Sequence, residues 1–241
     1  MAKTKIKLPA IKKRSGKRLA KAARPLKARG TDPKRVAAIL AGLDEKFPAA
    51  ICALKHQNPL QLLIATILSA QCTDKRVNMV TPGLFSRYPT ASHFAYTLPR
   101  ELEREIKSTG FFRNKTKSII GACKKIQEEF GGKVPQTMEE LLTLPGVARK
   151  SANVVLGTAF GISSGIVVDT HVLRLSHRLD LSQQNDPKKI EQDLMQIIPQ
   201  DKWILFSHQM IWHGRQTCRA RQPKCKECVL ERVCYSKDKM I

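Results

Sequence analysis

Acidic residues are scarce in this chain: 20 Asp and Glu stand against 43 Lys and Arg, a formal net charge of +23. So lopsided a balance excludes a basic partner and argues for a polyanion, nucleic acid first and an acidic membrane surface second. Long apolar runs are missing too. The longest weakly polar stretch, Asn153 to Val168, is broken by Gly, Thr and Ser, which is too short and too polar to span a bilayer. The charged N-terminus is not followed by an apolar segment, so no secretory signal is expected. Aromatics are only 5%, yet 42% of the 241 residues are hydrophobic, ample for a sizeable core. Alternating strand patterns with hairpin turns are absent, and Ile166-Val167-Val168 is too short to imply a sheet. The seven cysteines are an odd number and four crowd into Cys218–Cys234, which excludes a secreted disulfide scaffold and points to a metal site in a reducing compartment.

What is present reads as helix. Asp32-Pro33, Asn58-Pro59 and Asp186-Pro187 each look like a cap followed by proline at the first helical position. Apolar residues then recur at helical spacing, as in Val36, Ile39, Leu40, Leu43 and Phe47. Thr137 and Glu140 fit a capping box, and Gly131-Gly132 can terminate the helix before them. The periodicity gives about eleven helices, an all-α class without internal repeats. Residues 1–30 stand apart, with many Lys and Arg and no acid, and read as a disordered basic arm that adds phosphate affinity.

Three local patterns carry chemistry. Cys218, Cys225, Cys228 and Cys234 are separated by six, two and five residues. Four thiolates so close can close around structural zinc or an iron–sulfur cluster. The single CxxC pair favours the latter. Arg219, Arg221 and Lys224 on the same loop suit phosphates, or serve only to offset the charge of the cluster. Cys52, Cys72 and Cys123 sit in apolar helical stretches and read as core.

The second pattern is helix, tight turn, helix over 137–160, with the turn at Leu144-Pro145-Gly146-Val147-Ala148. Its second helix would present free N–H groups to a phosphate. Lys150 falls in the first turn, where a cation opposes the helix dipole. That placement favours a neutral amine able to attack carbon. The residues alone leave Lys150 open between nucleophile and a second phosphate contact beside Arg149. The third pattern is Asp169, which follows Val167-Val168 as a helix N-cap and a candidate carboxylate near Lys150.

Together these segments resemble the endonuclease III family of helix-hairpin-helix DNA glycosylases. The resemblance rests on Leu144-Pro-Gly-Val-Ala-Arg-Lys-Ser-Ala-Asn-Val-Val155, Val168-Asp-Thr-His-Val172, His213-Gly-Arg215 and the cysteine spacing. Leu68-Ser-Ala-Gln-Cys-Thr-Asp74 and Gly110-Phe-Phe-Arg-Asn-Lys115 extend it over about residues 32–236. It implies a six-helix domain (52–163) containing the hairpin. It also implies a discontinuous domain (31–51 with 164–241) holding a 4Fe-4S cluster on the four cysteines.

By the same resemblance Lys150 is the nucleophile and Asp169 the catalytic carboxylate of a bifunctional glycosylase and AP lyase. The substrate would be duplex DNA with oxidised pyrimidines or abasic sites. The protein is expected to be monomeric, without membrane association, in a bacterial-type cytoplasm beside the nucleoid. Gly146, Ala148 and Arg149 would meet the DNA backbone. Gln71 would fill the hole left by an extruded nucleotide, with Phe111 and Phe112 as an apolar wedge on a DNA-facing loop made cationic by Arg113 and Lys115; the alternatives are a helix cap for Gln71 and core packing for the two phenylalanines. Ala148 stands where the family has a second glycine, and a positive φ there would strain it by about 1 kcal/mol. A monofunctional glycosylase and a non-catalytic DNA clamp are the alternatives; Lys150 speaks against the first, and Lys150 together with Asp169 against the second.

Overall fold

The structure is a computed structural model and describes residues 30–241. The basic arm expected over 1–30 lies, apart from Gly30, outside the described residues. The helices are α1 (Pro33–Lys46), α2 (Pro59–Leu68), α3 (Asp74–Arg87), α4 (Ala91–Ala95), α5 (Pro99–Ile106), α6 (Phe112–Glu129), α7 (Met138–Leu142), α8 (Arg149–Phe160), α9 (Thr170–Arg178), α10 (Pro187–Ile197) and α11 (Trp203–Gln216). Four short 3-10 turns complete them, and there is no strand among the described residues. Ile166-Val167-Val168 runs extended but unpaired as a buried connector, its Val167 amide donating to Ser207 Oγ at 3.0 Å.

The helix starts follow their capping residues. Asp32, Asn58 and Asp186 each accept from backbone amides of the first turn, with Pro next in sequence. Thr137 accepts from the Glu140 amide, satisfying an orphan donor of α7. Between residues 59 and 160, where six helices were expected, there are seven helical segments. Two of them, α4 and α7, are only five residues long and are capped by Thr90 and Thr137.

Two cores form. One gathers α2 to α8, from Leu54 to Leu156, around Leu62, Leu63, Phe94, Leu102 and Ile119. The other joins α1 to α9, α10 and α11 around Ile39, Leu43, Leu175, Leu194 and Phe206. The chain therefore leaves the second core after α1 and returns to it after α8. Arg35 closes that return: its guanidinium donates to Val233 O and Leu179 O, both at 2.7 Å, and lies over the Tyr235 ring.

A buried carboxylate ties the two cores together. Glu191 on α10 accepts from Arg149 Nε and from Asn153 Nδ2, each at 2.8 Å, on the first turns of α8. Asn153 Oδ1 in turn accepts from Ser164 Oγ at 2.9 Å. Gly165 is glycine for a steric reason here, since a Cβ would stand 2.1 Å from Glu191 Oε1.

The turn between α7 and α8 is seated on α6. Gly146 has φ +79°, and a Cβ there would fall 2.5 Å from the Ser118 Cβ. Pro145 packs against Gly121 one turn further along α6. Ala148 has φ −103°, ordinary extended backbone, so the strain foreseen for it does not arise. In this hairpin it is Gly146 that carries the positive φ. Gly146→Ala should therefore destabilise the fold by more than about 2 kcal/mol, combining left-handed strain with overpacking. Ala148→Gly should shift stability by less than about 1 kcal/mol. Urea titration of both variants separates these demands; equal effects would contradict the assignment.

Candidate active site

A cleft of about 260 Å³ opens between the two cores. Ser69, Gln71 and Asp74 line it from the α2–α3 connection, Lys150, Ser151 and Val154 from α8, Asp169 from the start of α9, and His208, Trp212 and Arg215 from α11. Two expected catalytic residues far apart in sequence thus meet on one wall-to-wall space. Arg215 closes one end through a 2.6 Å ion pair to Asp74.

Lys150 is exposed in the first turn of α8. None of the ion pairs among the described residues involves it. Ala148, the N-cap of α8, supplies no side-chain acceptor, so the first amides of the helix are free for a ligand. Arg149 behaves differently from Lys150. Its Nε is held by Glu191, which raises its pKa, so part of its charge is committed inside the protein. Its expected phosphate contact is thereby weakened to what its outer nitrogens offer.

Asp169 is the N-cap of α9, as expected. Its Oδ1 accepts from the His171 and Val172 amides at 2.8 and 2.9 Å. Both cap bonds fall on one oxygen, which fixes the carboxylate and leaves Oδ2 out of the cap. Burial holds the neighbouring His171 below the ordinary imidazole value, partly opposed by Asp169. Burial likewise lowers His208 on the cleft wall.

The residues expected at the DNA stack separate into two kinds. Gln71 and Phe111 are exposed and both adopt left-handed backbone, φ +52° and +47°. Phe112 is half-buried against the first core, with the Arg113 guanidinium 5.6 Å from its ring centre. Only Phe111 of the pair is therefore placed as a projecting side chain, at 61% exposed. Lys115 does not make this loop cationic: it is 5% exposed, with its ammonium turned inward.

Cys218, Cys225, Cys228 and Cys234 line one cavity on the second core. Arg178 donates to the Cys218 thiol at 3.4 Å, and His213 Nε2 stands 3.4 Å from Cys228. Arg174 feels the Cys218 charge and keeps a buried Nε without a partner among the described residues. Burial pushes the Cys228 thiol up to about 11 and raises that of Cys218, so thiolates at these two positions need a metal to be stable. No three His, Cys, Asp or Glu side chains among the described residues are grouped to hold a single ion. Arg178 lines this cavity, and Arg174 donates to the Cys218 carbonyl at 2.9 Å.

Arg178 also grips the Arg219 and Ala220 carbonyls, and Arg219 and Arg221 are exposed on the loop so held. Lys224 is drawn into an ion pair with Glu227. Cys123 is core, its thiol pushed up to about 12 by burial, while Cys52 and Cys72 are half-buried beside the cleft.

Comparison with known proteins agrees with this geometry. Residues 64–200 match the HhH-GPD superfamily base excision DNA repair protein family. An endonuclease III of Synechocystis is 59% identical over 211 residues, covering 88% of this chain and 96% of that protein. The endonuclease III of Bacillus subtilis is 43% identical over 83% of this chain and 92% of its own length. Among solved structures, a non-covalent endonuclease III–DNA complex superposes with a TM-score of 0.81 at 43% identity, covering 85% of this chain and 95% of that one. A trapped covalent endonuclease III–DNA intermediate gives 0.81 at 42% identity, covering 85% and 96%. With two thirds and more of each matched at these identities, the chain belongs to the endonuclease III family of the helix-hairpin-helix base-excision repair superfamily.

Proposed function

We propose that this protein is a bifunctional DNA glycosylase and AP lyase that removes oxidised pyrimidines from duplex DNA. The observation that carries the reading is the meeting of Lys150 and Asp169 in one cleft between two cores. The related endonuclease III captured as a covalent intermediate with DNA supports chemistry through a protein nucleophile.

The damaged nucleotide leaves the stack and enters the cleft, which spares the enzyme from attacking inside a duplex. Lys150 Nζ then bonds to the sugar C1′ as the glycosidic bond breaks and the base departs. Asp169, fixed by its cap bonds, stabilises the cationic sugar as that bond weakens and takes up the proton that the amine sheds. Ring opening gives an imine between Lys150 and C1′. Loss of a C2′ proton and of the 3′ phosphate oxygen then breaks the strand. The free amides at the start of α8 and the Gly146 turn hold the phosphate backbone. Arg219 and Arg221 grip a second stretch.

The four cysteines would hold a 4Fe-4S cluster, whose chemistry here is to bind the four thiolates and so staple the loop between Cys218 and Cys234. The cluster domain then comprises 31–51 and 164–241, and 52–163 forms the hairpin domain, as the two cores divide. No described helix is long and apolar enough to cross a membrane. The nucleoid is the place where such a substrate is met.

Borohydride trapping on a duplex with one thymine glycol tests the central step. Wild type should give a covalent protein–DNA band and Lys150→Ala none; a band from both would move the nucleophile elsewhere. Asp169→Asn keeps a good cap, so it should melt within about 0.5 kcal/mol of wild type. It should nevertheless slow base removal by about 10²-fold or more. Equal loss of stability and activity would reduce Asp169 to a cap. Purified protein should be brown with absorbance near roughly 400 nm from iron–thiolate charge transfer. Cys228→Ala should bleach it, whereas a colourless, zinc-loaded, fully active protein would overturn the cluster assignment.

A further inference from the structure

Lys115 is a lysine with no acidic partner. It is buried, and its ammonium donates to two backbone carbonyls, Leu68 O and Thr109 O, both at 2.8 Å. Taking an ammonium out of water without a counter-charge is costly, and an apolar side chain would fill the same space more cheaply. Burial accordingly lowers its pKa, with the Cys72 thiol opposing that. What lysine gives in return is geometry, since its donors fix two carbonyls from otherwise separate segments.

Those carbonyls have specific places in the chain. Leu68 ends α2, and Thr109 ends the 3-10 turn Lys107–Thr109. Three residues beyond Leu68 is Gln71; two beyond Thr109 is Phe111. These are two of the four non-glycine residues with positive φ among those described, and both are exposed. Left-handed backbone of this kind persists only where the surroundings over-determine it. The Lys115 amide adds a third tie by donating to Phe111 O at 3.1 Å.

We propose that Lys115 is a positioning residue, a buried ammonium strut that sets the separation of the Gln71 and Phe111 loops so that both side chains enter the duplex together. The proposal rests on the reading that Gln71 and Phe111 enter the base stack. It assigns Lys115 to nucleotide extrusion and gives it no part in bond breaking, because it faces away from solvent.

The test compares two substrates for the cluster-loaded protein. One is a duplex with thymine glycol beside 2-aminopurine, whose fluorescence rises on unstacking; the other is a single-stranded abasic oligonucleotide, which needs no base pair opened. Lys115→Met should reduce the fluorescence change and turnover on the duplex by about 10²-fold, the scale of a displacement near 1 Å. Strand cleavage of the single-stranded substrate should stay within about 3-fold of wild type, a split that general misfolding would not give.

Lys115→Gln, which keeps amide donors, serves if the methionine variant does not fold, and should lie between the two. Equal losses on both substrates would overturn the proposal. The double variant Gln71→Ala/Phe111→Ala separates the underlying reading. If it keeps the full fluorescence change, insertion by those residues is wrong and the strut falls with it. If it abolishes the change while Lys115→Met retains it, insertion stands and the strut alone is wrong.

Discussion

Glu191 carries a carboxylate from one core into the first turns of a helix that belongs to the other. That single crossing sets where α8 begins relative to α9, and therefore where Lys150 stands relative to Asp169. A cleft between two cores is only as rigid as the contacts that span it, and domains joined by small polar interfaces move by default. Here the crossing is buried and bidentate in effect, one oxygen on Arg149 and the other on Asn153. Removing either partner would strand a charge or an amide in a dry place, which is costly enough to keep the arrangement unique. Arg215 with Asp74 makes a second, more exposed crossing at the opposite side of the cleft. Its energy is small by comparison, because water screens it.

Against that fixed frame, the groups that would touch DNA share a feature: their backbone or side-chain capacity is left unspent. The start of α8 has no side-chain cap, Asp169 uses one oxygen for its cap and keeps the other, and Gln71 and Phe111 project from left-handed turns. Six other helices carry a side-chain cap, at Asp32, Asn58, Thr73, Thr90, Thr137 and Asp186, whereas α5, α6 and α11 share the bare start of α8.

The elements legible in the sequence were those whose signal is local. Asp-Pro and Asn-Pro starts, the thiol spacing, the Pro-Gly turn and the capping carboxylate at 169 all announce themselves within a few residues. Glu191 was not legible, because it sits in Lys-Lys-Ile-Glu-Gln-Asp, which reads as a solvated face. Only the approach of α8 buries it. Lys115 was misread for a related reason: in Phe-Arg-Asn-Lys it looks like one more surface cation, while helical phase turns it inward beside Thr116 and Ile119. The positive φ at Gln71 and Phe111 was equally hidden, since neither residue type advertises it. Ala148 erred in the other direction. Family pattern suggested a glycine-like backbone, but the hairpin's left-handed residue is Gly146, so alanine two positions on costs nothing in φ.

The buried cations Arg35 and Lys115 and the half-buried Arg174 and Arg178 follow one logic. Arg35, Lys115 and Arg174 have no acidic partner and spend their donors on backbone carbonyls; Arg178 divides its donors between carbonyls, the Cys218 thiol and the exposed Asp238. In a chain with a formal charge of +23, acids are too few to neutralise every interior cation. Carbonyls at helix ends are the ready substitute, because their orphan lone pairs carry the negative end of the helix dipole. Arg35 fastens the chain's return to α1, Lys115 joins the ends of α2 and of the 3-10 turn at Thr109, and Arg174 and Arg178 hold the thiol-bearing loop. The same basic excess that draws the protein to a polyanion also fixes the parts that would grip it. The division is by burial: inside, cations organise loops; outside, Arg219 and Arg221 stay exposed on the loop they belong to.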